Sequence, residues 1–317
     1  MKTNIVENFE HPVFNPLELL IETPAMKLLH DQIQKWLWTG ATGSVVKGVS
    51  RTGKTTAMYA LGNQLNSRNN TPIPVHRFSI HKRDKPTIRS VFMRMCNSAD
   101  IYTTPRTVTD KLSDSFLHYL LDKTHEYKTN RIVLIVDEMQ RLKSWQFDAF
   151  AELYDELRDP FNVLLMVIFI ANDPECVELI EEMEDSTHAH IYGRFFTLES
   201  DFLGLTSEKS VKSCLCQYDS LRFPLNSGPT YTEYFLPKEY RNGWRLSTLS
   251  RPIWTVFREY KQNYKLKSWG MQYFITSINT LLTDLLPHYG VDAFSEEMIH
   301  ESIKVSRLIP SMVKDRS

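Results

Sequence analysis

The sequence predicts an α/β fold: a parallel sheet with helices on both faces, followed by a smaller helical domain. Three observations predict it. Arg131–Val136 and Asn162–Ala171 are near-continuous apolar runs, as expected of strands buried on both faces rather than one. Segments with helical periodicity separate such strands, the pattern of a parallel sheet covered on both sides. Past about residue 200 no long apolar strand recurs, and three helical stretches follow, at Leu246–Tyr260, Gln272–Leu286 and Ser295–Leu308. The expected division is an N-terminal docking arm over 1–24, an α/β domain over 25–200 and a helical region over 201–317.

Each element has its own warrant. In the arm, Pro12 and Pro16 bracket Val13-Phe14, which suits an extended segment docked on the body rather than a strand within a sheet. Met26, Leu29, Ile33, Trp36 and Leu37 recur at spacings of three and four, one face of a helix. Ser44–Lys47 reads as a short buried strand and Thr55–Asn66 as a helix. Val75–Ile80 alternates as a strand does, and helical runs follow from Ile88 to about Cys96 and from Asp110 to Lys123. Ser144 is placed to cap a helix over Trp145–Arg158, which stops before Pro160. Leu225–Thr232, with its Pro, Gly and Ser, reads as a loop.

Between the first strand and its helix stands Gly48-Val49-Ser50-Arg51-Thr52-Gly53-Lys54-Thr55, a full match to G-x-x-x-x-G-K-[ST]. Two glycines let the backbone curl and aim its N–H groups inward, where, with the start of the helix at Thr55-Thr56, they hold a triphosphate. Lys54 is expected to reach the β- and γ-phosphates and Thr55 to put its hydroxyl on Mg²⁺. ATP and Mg²⁺ are therefore the expected cofactors. Asp137 ends the apolar strand Ile132–Val136, where an acid holds Mg²⁺ beside such a loop, and Glu138 is placed to polarise the attacking water. Asn172 ends the next strand, so its amide is a candidate partner for that water or the γ-phosphate, against the plainer reading of an Asn-Asp-Pro turn.

Other residues carry more open readings. Arg194 is a candidate finger toward a neighbouring copy's γ-phosphate; its alternative is an ion pair with Glu175–Asp185, which has six acids and no base. Arg245 is placed to bridge the helical region to the nucleotide, with Arg251 as rival. From His76 to Met95 there are six Lys/Arg against one acid, Asp84. Lys82, Arg83 and Lys85 follow a strand end there, and Thr104, Arg106 and Thr107 lie in the next loop. Such donors suit phosphate contacts that grip a nucleic-acid backbone without reading bases, although charge runs are commonly only solvated. His188 and His190 have no convincing third ligand for a metal.

Composition sets the outer bounds. A chain of 317 residues, 42% hydrophobic and 24% charged, is that of a soluble globular protein, and a formal charge of −1 excludes a global polycation. Cys96, Cys176, Cys214 and Cys216 form no C-x-x-C pair, and Cys214-x-Cys216 has the wrong spacing for a zinc knuckle. No apolar signal region or stretch of membrane-spanning length stands out, so a cytoplasmic protein with no membrane partner is expected.

These motifs in this order resemble AAA+ ATPases, and more narrowly the TnsC/TniB transposition regulators. The narrower resemblance rests on Gly48–Thr55, on Leu134-Ile135-Val136-Asp137-Glu138-Met139-Gln140-Arg141-Leu142, on Gly193-Arg194-Phe195 and on the short helical lid starting at Gly243–Leu246. It covers roughly residues 25–260 and makes the sheet a P-loop (AAA+) sheet. It implies an ATP-dependent protein that assembles as a ring or filament on double-stranded DNA and links a target selector to a transposase. It also implies DNA contacts from Lys82–Lys85 and from Thr104–Thr107. Two rivals stand beside it. One is a helicase-loading or replication-type ATPase with the same catalytic residues. The other is a nucleotide-gated scaffold without turnover, against which the intact Glu138 argues.

Overall fold

A computed structural model describes residues 10–15, 19–61, 64–82 and 86–309. The chain divides into two compact units. One runs from Leu28 to Phe202; the other combines the residues up to Lys27 with those from Leu203 onward. No described helix is long and apolar enough to cross a membrane.

In the first unit, helix α1 (Pro24–Trp38, its first turn belonging to the other unit) leads into β1 (Gly43–Gly48) and α2 (Lys54–Leu61). Then come β2 (Val75–Ser79), α3 (Ile88–Ser98), α4 (Thr109–Glu126), β3 (Arg131–Asp137), α5 (Asp148–Arg158), β4 (Leu164–Asn172), α6 (Val177–Met183), α7 (Ala189–Phe195) and β5 (Glu199–Asp201). The five strands form one sheet in the order β2-β3-β4-β1-β5, and every pairing is parallel. Central β3 and β4 are buried along nearly their whole length, whereas edge strand β2 alternates. Burial on both faces is what the continuous apolar runs require. Register sets the working end of the sheet: Gly48 pairs with Asn172, and Ser79 with Asp137.

Several element boundaries differ from the sequence reading. The helix expected to run to Asn66 is described only to Leu61, and Asn66 instead bridges Pro72, its carbonyl taking hydrogen bonds from Gln34 Nε2 (2.5 Å) and Trp38 Nε1 (3.0 Å). Ser144 does not cap a helix starting at Trp145. It lies inside a 3₁₀ turn, Ser144–Phe147, and α5 begins at Asp148. That turn is held by Gln146, whose Oε1 accepts from Lys143 N at 3.1 Å while its Nε2 donates to Thr87 O at 2.9 Å. Strand β5, three residues long and Ser-Asp rich, has no apolar run to betray it.

The second unit is helical: α8 (Glu208–Tyr218), α9 (Tyr231–Phe235), α10 (Pro237–Arg241), α11 (Ser250–Asn263), α12 (Met271–Thr280), α13 (Leu286–Tyr289) and α14 (Glu296–Val305). The expected helix Leu246–Tyr260 opens with a 3₁₀ turn, and the expected Gln272–Leu286 widens into a π-type turn at Leu281–Leu285. Trp269 is fully buried and stacks on Phe257, ring centroids 4.3 Å apart, a pairing worth about 0.5–1.5 kcal/mol beyond its buried area. Val13, Leu19 and Ile21 join this core. Asn279 Nδ2 donates to Val13 O at 2.9 Å, and Gln217 pairs with both backbone groups of Glu22, at 2.8 and 2.6 Å.

Candidate functional site

The carboxyl ends of β1, β3 and β4 bring the motif residues together. The loop after β1 turns through two left-handed positions, Arg51 (φ 66°) and Gly53 (φ 97°). Gly53 supplies that conformation without a Cβ clash, whereas Arg51 holds it at some cost in strain. Thr52 Oγ1 donates to Val49 O at 2.9 Å and closes the turn. Gly48 is needed for a different reason. A Cβ there would lie 2.3 Å from the Phe202 carbonyl oxygen, and the Phe202 amide is itself bonded to Lys47 O at 2.7 Å.

Lys54, at the first position of α2, is buried. Its Nζ donates to Gly48 O (2.6 Å), Val49 O (2.8 Å) and Asn172 Oδ1 (3.0 Å). Burial pulls its pKa below the ordinary lysine value, opposed by the nearby carboxylates of Asp137 and Glu138. A buried cation held by neutral carbonyls is a receptive partner for a polyanion. Thr55 Oγ1 donates to Asp137 Oδ2 at 2.9 Å, so the hydroxyl and the carboxylate sit side by side at the edge of the loop. Both are hard oxygen donors, the set Mg²⁺ prefers alongside substrate phosphates. Thr56 follows on the exposed side of α2.

Glu138 stands in the left-handed region (φ 63°), just past the end of β3. Its amide donates to Asp137 Oδ1 at 2.9 Å. Its Oε2 accepts from Gln140 Nε2 at 2.9 Å and pairs with Arg141 Nη2 at 2.9 Å. Arg141 Nη1 also donates to Ile80 O at 3.0 Å, and Gln140 Oε1 accepts from the Asn172 amide at 3.2 Å. Gln140 and Arg141 therefore brace Glu138, a role the sequence reading did not assign. Their place just beyond Met139, close behind Asp137-Glu138, is the available signal.

Arg194 pairs with Asp155, not with the acidic stretch Glu175–Asp185: Nη1 lies 2.8 Å from Oδ2, and the guanidinium sits 5.2 Å from the centre of the Tyr154 ring. Arg245 belongs to the helical unit. It donates to Tyr240 O (2.9 Å) and Trp244 O (2.7 Å) and lies 3.6 Å over the Tyr240 ring. His190 Nε2 lies 3.8 Å from Asp148 Oδ1, and among the described residues no group of three or more His, Cys, Asp or Glu is arranged to hold a metal.

The basic stretch splits into two kinds of residue. Arg77, Arg89 and Arg94 brace backbone carbonyls: Arg77 those of Met58 and Tyr59, Arg89 those of Pro105 and Thr107, and Arg94 that of Ser79. Lys82 is exposed, and Arg83 and Lys85 lie outside the described residues. Arg89 fastens the Thr104–Thr107 loop beside the first turn of α3. There Thr104 and Thr107 bond each other, Oγ1 to Oγ1 at 3.0 Å, and Arg106 is exposed. Tyr102, 89% exposed, adds a ring to the same loop.

Residues 39–180 match the family model described as an AAA domain. No curated protein matches the chain. Among solved structures, the Aeropyrum pernix ORC2 protein (ADPNP–ADP complexes) superposes with a TM-score of 0.56 at 14% identity, over 94% of this chain and 72% of that one. Cdc6p from Pyrobaculum aerophilum gives a TM-score of 0.46 at 14% identity, over 97% and 89%. The Aeropyrum pernix ORC1 protein in complex with DNA gives 0.44 at 12%, over 96% and 86%. At such identities the likeness is one of fold. The parallel sheet with its phosphate loop is an AAA+ P-loop fold resembling that of the ORC2 protein, with an additional helical C-terminal region.

Proposed function

We propose that this chain is a Mg²⁺-dependent ATPase that assembles on duplex DNA and holds that assembly while ATP is bound. The convergence of Lys54, Asn172, Thr55 and Asp137 on one loop carries the reading. The oxygen donors and the buried ammonium fit a Mg²⁺-triphosphate. Thr55 and Asp137 would hold the metal, which would supply neutralisation of charge on the phosphates.

The remaining chemistry belongs to the chain. Lys54 turns from the loop carbonyls toward the phosphates, while Asn172 keeps its amide on the same side. Glu138 orients the attacking water and accepts its proton once Arg141 and Gln140 yield its carboxylate. Arg194 exchanges Asp155 for the phosphate of an adjacent copy, and Arg245 serves nucleotide sensing from the helical unit. Lys82, Arg83, Lys85, Thr104, Arg106 and Thr107 contact the DNA backbone. The resemblance of Gly48–Thr55, Leu134–Leu142, Gly193–Phe195 and Gly243–Leu246 to the transposition regulators supports a target selector and a transposase as partners. The likeness to a protein solved with ADPNP and ADP, archaeal ORC2, favours a replication-type ATPase as the second reading.

Glu138→Gln tests the switch: ATP binding persists while DNA-bound assemblies outlive those of wild type. Equal lifetimes at equal ATP occupancy refute it. Lys82/Arg83/Lys85→Ala flattens the salt dependence of DNA binding by about 0.9 in log–log slope for each phosphate left without its cation. An unchanged slope removes that loop from the DNA path. Capture of a transposase against capture of a helicase separates the two readings.

A further inference from the structure

At the opposite end of the sheet lies a cavity of about 300 Å³. Its walls come from the end of α1 before β1, the loop before β2 and the loop before β3, and so from the amino ends of three parallel strands. The phosphate loop and Asp137 sit at the carboxyl ends. With β3 seven residues long, the two places are about 20 Å apart.

Three cations line this cavity, Arg68, Lys128 and Arg131, and among the described residues no carboxylate does. Arg68 and Lys128 are exposed, and among the described residues no salt bridge involves any of the three. Arg131 is anchored by a hydrogen bond to the Leu37 carbonyl. The fourth element is an aromatic ring, Trp38, 40% exposed and fixed through its Nε1 bond to Asn66 O.

The wall is built in advance. Ser67 Oγ accepts from the amides of Asn69 (3.2 Å) and Thr71 (3.1 Å), and Gln34 grips Asn66 through both its amide atoms. The loop bearing Arg68 is thereby stitched to α1, which bears Trp38. Convergent cations without counter-charges repel one another, and an anion between them relieves that repulsion. Guanidinium and ammonium groups around a fixed indole match phosphate with a neighbouring planar base.

We propose that this cavity binds a phosphorylated nucleoside unit, either as a free nucleotide or as one nucleotide of a strand. The proposal is independent of ATP turnover at the phosphate loop. Its test uses the full chain carrying Lys54→Ala, so that the first site is weakened. The probes are fluorescent AMP and a labelled short oligothymidylate, each competed with inorganic pyrophosphate. Arg68→Gln with Lys128→Asn removes two cations whose side chains face solvent, and Asn suits the left-handed backbone at position 128 (φ 52°). Binding of one or both probes to the Lys54→Ala protein is expected, weakened about tenfold or more by the double change. Trp38→Phe is expected to weaken probe binding less than the double change does and to leave pyrophosphate competition intact. AMP binding identifies a free nucleotide as the ligand; oligonucleotide binding alone identifies a strand. The proposal is overturned if neither probe binds the Lys54→Ala protein, or if the double variant, with an unchanged circular dichroism spectrum and melting point, binds as its parent does.

Discussion

Replacing His76 with Gln should remove the share of the sheet unit's acid sensitivity that this buried ring contributes. His76 lies on β2, is 7% exposed, and has Tyr119 Oη 3.1 Å from Nδ1 and Ser98 Oγ 2.8 Å from Nε2. Burial first, then the positive charges of Arg77 and Lys123, lower its pKa from 6.5 to about 4. The sign follows from which state takes up the proton. Below pH 6.5 the unfolded chain protonates this ring and the native one does not. The contribution to stability is therefore complete above 6.5 and drains away as the pH falls toward about 4. At about 1.4 kcal/mol per pH unit, that interval amounts to about 3 kcal/mol, a large share of a domain's net stability. Urea midpoints followed by circular dichroism across this range measure it. Wild type should lose stability on the acid side with a slope that His76→Gln lacks. His11, in the helical unit, is also lowered to about 4 by burial, so His11→Gln serves as the parallel control. A His76→Gln curve as steep as wild type, or a native His76 ring resonance titrating near 6.5, refutes the reasoning. The result also bounds the pH at which nucleotide hydrolysis is read on a folded unit.

Two further outcomes follow from the site. Gly48→Ala drives a Cβ to within 2.3 Å of a backbone oxygen that cannot swing aside, so it should cost about 1–3 kcal/mol and weaken ATP binding; an unaltered melting temperature counts against that packing. Arg141→Met removes one of the two donors on Glu138, from a pair in which Arg141 is 39% and Glu138 26% exposed. Such a pair contributes about 0.2–1 kcal/mol, so basal ATP hydrolysis should rise by up to about fivefold, and an equal or slower rate at unchanged ATP affinity contradicts the reading that Arg141 withholds the Glu138 carboxylate.

The parallel sheet was legible because Ile132–Val136 and Val163–Ala171 are apolar without interruption, and that pattern has few other physical explanations. The phosphate-loop pattern was legible because its glycines, lysine and threonine all fall within Gly48–Thr55. What escaped is what depends on distant partners. The turn at Ser144–Phe147 is set by Gln146 reaching Thr87, 59 residues earlier, and no capping rule sees that bond. Asn66 leaves its helical pattern because Gln34 and Trp38 claim its carbonyl. The partner of Arg194 sits on α5, outside the acidic run that charge counting favoured. The cavity at the amino ends is assembled from a helix end and two loops, each ordinary in isolation, and only the fold brings Trp38, Arg68 and Lys128 around one space.

The contact between Gly48 and Phe202 has a mechanical implication. Phe202 is the last residue of the sheet unit, and its two backbone groups are seated against Lys47 and Gly48, where the phosphate loop begins. The gripping loop and the exit of the polypeptide thus share a single joint. Any side chain larger than hydrogen at position 48 therefore presses on the mouth of the loop and on the Phe202 carbonyl at once.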